Sequence, residues 1–318
     1  MPPFPLRATP VACLLLAALM HPAAAQESAP GPESGHVDLG GIDLHYLDFG
    51  GEGPAILLLH SKPWDASTYE SFGQRFVDGY RVVAPTFRGS GESSGEPADV
   101  ATDGEDILRF MDAMEIDQAV LIGNSTPGLA MTYLAEHHAD RIAGLVYMAP
   151  GLPLGDLSGS DSLRIWEMTL RAQGDNYERI VPQAVYRPHY RSSAQPTIDV
   201  PAMILRNQSG GSGVGTFNVP RLLLEGQIPI NDPEAERFWE AAREDPGFGA
   251  RVDAFWAEMN AGEADAFAEF DGAFSSPPTV VPLPLPAVGG YEYREAPDLV
   301  EPHIRSFLSD VFDRGTGR

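Results

Sequence analysis

Ala119-Val120-Leu121-Ile122-Gly123-Asn124-Ser125-Thr126-Pro127-Gly128, followed by Leu129-Ala130-Met131-Thr132-Tyr133-Leu134-Ala135, is the stretch whose reading decides the fold. A short apolar, partly β-branched run gives way to a tight polar turn centred on a serine, then to helical spacing. Strand, turn and helix in this order are the setting in which Gly-x-Ser-x-Gly holds a serine on a strained turn with its hydroxyl exposed. Gly123 keeps the glycine two places before Ser125; Pro127 replaces the one two places after, with Gly128 behind it. Proline is at home in the first helical turn, where its missing N–H would have no partner anyway. The stretch also reads as an ordinary strand–helix turn that happens to hold a serine, because such turns are commonly built from Gly and Ser.

Working outward, Ala55–Leu59 is a continuous apolar run that ends in His60-Ser61-Lys62-Pro63-Trp64. Arg81–Ala84 is another, running into Pro85-Thr86-Phe87-Arg88-Gly89-Ser90-Gly91-Glu92-Ser93. Runs that do not alternate predict strands buried on both faces of a parallel sheet. Between Thr102 and Met114, the residues Ile107, Phe110, Met111 and Met114 recur at the spacing of one helix face. Ser71–Val77 carries shorter helical spacing, and Gly144–Met148 reads as a further strand. Alternating strand and helix predict an α/β architecture, a parallel sheet with helices on both faces. Chemistry in such folds collects beyond the carboxyl ends of the strands, which puts His60, Arg88 and Ser125 on one rim. Upstream, Val37–Gly53 alternates and predicts a hairpin of two exposed edge strands, with His45 as a packed or surface residue.

The ends and the composition set bounds. Arg7, the apolar stretch Val11–Met20 and Ala23-Ala24-Ala25 before Gln26 have the layout of a cleavable signal over residues 1–25. The apolar part is about half the ~20 residues that a spanning helix needs. A secreted or periplasmic protein is expected, with a flexible leader over 26–36. Cys13, the only cysteine, lies inside the signal, so neither disulfide nor thiol chemistry is expected. Forty-five acidic against 21 basic side chains, a net charge of −24, disfavour nucleic acid and anionic membrane as partners. The acids are dispersed, and there is no Asp-x-Asp-x-Asp-Gly loop and no His-x-x-x-His. The Gly-rich loop Ser209–Gly215 lacks the Lys-Ser/Thr of a phosphate cradle. No metal and no cofactor are expected.

His60-Ser61, Arg88-Gly89-Ser90-Gly91-Glu92-Ser93, Gly123-Asn124-Ser125 and Ala135-Glu136-His137-His138-Ala139-Asp140-Arg141-Ile142 fall in a telling order. Through them residues 37–150 resemble the N-terminal half of the α/β-hydrolase superfamily, of the single-domain esterase, haloperoxidase-like and epoxide-hydrolase-like kind. That family has His-Gly, Arg-Gly-x-Gly-x-Ser, the serine elbow and a helix end at these places. The resemblance implies a mostly parallel central sheet with helices on both faces and an inserted cap. Residues 37–150 would form the first part of the core, 151–199 the cap, where the strand–helix rhythm stops, and 200–318 the second part. Val200–Arg206 would resume the sheet, with Pro220–Gly226 competing for that strand. Asp232–Phe270 reads as a long acidic helical stretch, Thr279–Leu283 as the last strand and Pro297–Phe312 as the closing helix.

The resemblance further implies Ser125 as nucleophile, with backbone amides of Lys62 and Thr126 facing the developing oxyanion. His60, Ser61, Trp64 and Asn124 would line the pocket. A base and an orienting acid should complete the set, yet neither stands in its usual place. In Ala287-Val288-Gly289-Gly290-Tyr291-Glu292-Tyr293-Arg294-Glu295-Ala296-Pro297, Gly290 or Tyr291 takes the position of the histidine. Asn207, Gln208 and Ser209 follow the strand that should present the acid; after the competing strand the nearest carboxylate is Asp232. Thr86 replaces the aspartate that commonly precedes the Arg-Gly-x-Gly turn. Loss of such a base costs on the order of 10⁶ in kcat. Three readings follow. One is a hydrolase of a small uncharged ester or related substrate, with Lys62, Tyr291 or His189 as an atypical base. Another is a catalytically degenerate hydrolase fold that binds a small apolar ligand. The last is a non-hydrolytic activity in the same pocket. Only an enzyme must bring an ionisable group to within about 3 Å of the Ser125 hydroxyl.

Overall fold

The continuous apolar runs become the middle of one eight-stranded sheet. A computed structural model describes residues 31–62, 64–149, 161–173, 197–207, 219–227, 229–230, 232–283 and 292–315. The strands are β1 (Glu33–Asp38), β2 (Asp43–Gly50), β3 (Ala55–Leu59), β4 (Arg81–Pro85), β5 (Ala119–Asn124), β6 (Ile142–Met148), β7 (Ala202–Asn207) and β8 (Thr279–Leu283). Their order is β1-β2-β4-β3-β5-β6-β7-β8. Only β1–β2 and β2–β4 pair antiparallel; the pairs from β4 to β8 are parallel. β5 lies between β3 and β6, with Leu59 opposite Gly123 and Asn124 opposite Met148. Adjacent strands therefore end level, and the turns that follow them open on the same rim, where parallel sheets carry their sites.

Side chains alternate across the sheet. One face carries Leu57, Leu59, Val83, Leu121, Leu145 and Ile204. It packs on α1 (Val100–Ala113) and α2 (Pro127–His137), through Ile107, Phe110, Met111, Leu129 and Leu134. The other face, with Ile56, Leu58, Val82, Val120, Ile122 and Val146, packs on Phe72, Phe76 and α7 (Pro297–Gly315). A separate apolar cluster joins α3 (Asp161–Gln173), α4 (Val219–Leu224), α5 (Pro233–Glu244) and the start of α6 (Phe248–Gly272). Its centre is Trp239, packed with Met168, Leu223, Val252 and Phe255. The far end of α6 returns to the sheet, where Phe270 meets Tyr147 edge-on at 5.0 Å. Twenty-five residues give α6 a length of about 37 Å, enough to link the two layers.

Several expectations need correction. β1 begins at Glu33, inside the stretch whose composition suggests a leader over 26–36. Its exposed positions are Glu33, Ser34, His36 and Asp38, so an edge strand hides behind linker-like chemistry. β2 is not an exposed edge: β1 and β4 flank it, and Leu44, His45, Leu47 and Phe49 are buried. Pro220–Gly226 is no strand; it contributes to α4, where Pro220 fits the first helical turn. The stretch from Asp232 is two helices. Asp232 caps α5 by accepting the Glu234 and Ala235 amides, and the break falls at Asp245-Pro246, because a residue before proline is pushed out of the helical region. The segment expected as a cap over 151–199 is described only at 161–173 and 197–199, and α3 shares its core with helices beyond residue 199. The signal over 1–25 lies outside the described residues. Among the described residues no helix is long and apolar enough to cross a membrane.

Candidate active site

β5 delivers Ser125 at φ 65°, the left-handed region. The Ser125 amide donates to Met148 O on β6 at 3.0 Å, and its carbonyl accepts the Gly128 amide at 3.0 Å, which starts α2. The side chain is half-buried. Among the described residues its hydroxyl has no hydrogen-bond partner. Gly123 is required for a packing reason: a Cβ there would stand 2.4 Å from Met131 Sδ and 3.2 Å from Pro127 Cγ. The helix can thus press directly on the strand that carries the serine. Asn124 is buried, and its Nδ2 donates to Met148 O at 3.2 Å.

The turn after β3 forms the facing wall. His60 is wholly buried; its Nε2 accepts the Phe87 amide at 2.9 Å, and Nδ1–H donates to Ser61 O at 3.2 Å. With both nitrogens committed in the neutral ring, His60 shapes the turn and is not placed to take a proton from Ser125. The Trp64 amide closes the turn on Ser61 O at 2.8 Å. The Lys62 amide donates to Thr126 Oγ1 at 2.9 Å, so the turn and the elbow are tied directly together. Trp64 is 43% exposed, with the Arg294 guanidinium 5.9 Å from its ring.

Lys62, a candidate base by sequence, is engaged by a carboxylate instead of lying in solvent. Its ammonium is buried and bonds Asp103 Oδ2 at 2.6 Å, with Phe87 5.5 Å away. Lys62, Asp103, Phe87, Val100, Thr126, Pro127 and Ala130 line one niche between α1 and the start of α2. Burial pushes the Asp103 carboxyl up to about 6; Lys62 holds it down in part, and Asp106 adds to the rise. Asp106 in turn takes Arg88 by two bonds, at 2.5 and 2.8 Å, and Arg109 at 2.8 Å. The Arg-Gly-x-Gly loop and the turn after β3 are therefore both anchored on α1, one turn apart.

Sequence reasoning does not find Asp103, although a signal exists. It stands four places before Ile107, on the apolar stripe of α1, where a carboxylate needs a partner. Thr86 fills the place of the usual aspartate with neutral bonds: Oγ1 accepts the Ala66 amide at 3.1 Å and pairs with His45 Nδ1 at 2.9 Å. Burial lowers the His45 pKa. Past the expected position of the base, Tyr293 stacks on Tyr69 at 4.6 Å, and Tyr69 OH donates to Leu59 O at 2.9 Å. Glu292 is buried there and its pKa is raised, chiefly by that burial. The structure thus brings Ser61, Lys62 and Thr126 together beside Ser125. Tyr291 and His189 lie outside the described residues.

Residues 54–195 match the family model of the alpha/beta hydrolase fold. The chain is 28% identical over 119 residues to epoxide hydrolase 2 of Siraitia grosvenorii, covering 36% of this chain and 37% of that protein. It is 36% identical over 78 residues to a carbendazim hydrolyzing esterase of a Nocardioides species, covering 24% of this chain and 32% of that protein. The matches thus span about a third of the length of these relatives. In fold it is similar to an enol-lactonase from Burkholderia xenovorans, with a TM-score of 0.57 at 18% identity, covering 86% of this chain and 100% of that one. Strand order, the serine elbow and the match over residues 54–195 agree, and the chain has the α/β-hydrolase fold.

Proposed function

We propose that this chain is an exported hydrolase that cleaves a small uncharged ester or a related substrate, with Ser125 as the nucleophile. The conformation of Ser125 carries the reading. A non-glycine residue at φ 65° costs on the order of 1–3 kcal/mol and persists only where its surroundings over-determine it. Here the bonds to Met148 and Gly128 and the close packing of α2 do so, and they leave Ser125 half-buried at the end of the central strand. The relatives' names (epoxide hydrolase, esterase, enol-lactonase) support hydrolysis as the reaction class. The bond of the Lys62 ammonium to Asp103 favours Tyr291 or His189 over Lys62 as the group that takes the Ser125 proton.

A fluorophosphonate probe tests this. The expected result is a mass increase on Ser125 of the wild type, abolished in Ser125→Ala. A folded sample that stays unlabelled would sink the acyl-enzyme reading and turn attention to binding without turnover.

A further inference from the structure

The oxyanion turn is closed on itself. Besides the 2.9 Å bond from the Lys62 amide to Thr126 Oγ1, Thr126 Oγ1 lies 3.5 Å from Ser61 Oγ, which donates to Lys62 O at 3.3 Å. An amide carries one proton, so while Thr126 accepts it Lys62 offers nothing to a substrate oxygen. Lys62 itself is poorly placed to give way. Its ammonium is held by Asp103 at 2.6 Å, and the turn is closed by the Trp64 amide on Ser61. Thr126 is half-buried, and one change of its χ1 well would carry the hydroxyl away.

We propose that the Thr126 hydroxyl is a latch on the oxyanion hole: it occupies the Lys62 amide in the resting protein, and the substrate oxygen displaces it. The inference rests on Ser125 being the nucleophile. The exchange runs in the right direction, because a hydrogen bond to an oxyanion is roughly twice as strong as one to a neutral hydroxyl. Its cost is the breaking of one neutral hydrogen bond, about five-fold in rate. That cost is met only as charge develops, so it falls on kcat and spares KM.

Thr126→Val keeps the branched shape and removes the acceptor. Two readouts are expected to move: labelling of Ser125 by a fluorophosphonate becomes about five-fold faster, and the Lys62 amide exchanges faster with deuterium by NMR. Thr126→Ser, which restores a hydroxyl, restores the protected amide. Should labelling proceed in the wild type but run no faster in Thr126→Val, the latch is overturned and Ser125 stays the nucleophile. Failure to label either protein overturns the nucleophile and the latch together. If Thr126→Val does not fold, the wild type still decides. Phosphonylation of Ser125 must move the Lys62 amide resonance as it passes from Thr126 to the new oxygen, and an unmoved resonance overturns the latch.

Discussion

A lysine ammonium and a carboxylate buried together each lose several kcal/mol of hydration, which their attraction repays only in part. At Asp103 burial prevails, since its pKa of about 6 lies above the ordinary 3.8 even with Lys62 at 2.6 Å. The folded protein then holds the Asp103 proton more tightly than the unfolded chain does. The stabilisation from that proton is fully present below about 4 and is lost as pH rises through about 6. Wild type should therefore lose stability relative to Asp103→Asn between about pH 4 and 6, by at most about 3 kcal/mol. In Lys62→Met the window should move to higher pH, because the strongest influence holding the carboxyl down has gone. Thermal midpoints of the three proteins from pH 4 to 8 check both. A wild type that gained on Asp103→Asn as pH rose would mean that the lysine's attraction wins. Lys62 stands out in the sequence as a charge just past a buried strand, and is easily taken for a base. Its actual partner lies 41 residues on, and spacing alone does not show which of the acids on α1 folds against it.

The strand–elbow–helix unit was readable because each of its parts has a local cause. An apolar run makes β5, Gly123 gives α2 room, and Pro127 suits the first helical turn. At Gly123 the limit is steric: its φ is not in the left-handed region, and the obstruction is Met131 Sδ at 2.4 Å. Gly123→Ala should cost about 1–3 kcal/mol by overpacking. Shortening the obstructing side chain should return part of this, so Gly123→Ala/Met131→Ala should be less destabilised than the sum of its singles by about 1 kcal/mol. Urea unfolding of the four proteins measures the coupling, and strict additivity would mean that Met131 is not what Gly123 makes room for. Elements without such local causes differ from what their sequence suggests. β1 is polar because an edge strand can be, and α4 is an apolar hexamer, too short for period alone to separate strand from helix.

Across the whole molecule, α6 decides how the helical layer and the sheet answer to one another. Its sequence places Phe248, Val252 and Phe255 at one end and Phe270 at the other, with an Ala-, Gly- and acid-rich middle. That pattern suits a helix serving two cores, but only the packing shows which core each end joins. Phe255 is buried against the helical layer and Phe270 against Tyr147 and Phe274 under the sheet. Truncating either to alanine removes about 3–5 kcal/mol from its own core. The two losses should appear in different places. Phe255→Ala should speed hydrogen exchange through residues 161–173 and 233–255 while β3, β5 and β6 keep their protection, because the sheet has cores of its own on both faces. Phe270→Ala should loosen β6 and β7 beside it. Exchange followed by mass spectrometry on peptides from each region distinguishes these patterns. Equal loss everywhere in both variants would make the helices and the sheet one cooperative unit. Loss confined to the helical layer in Phe255→Ala would instead leave the elbow and the turn after β3 standing while the helices beyond them open.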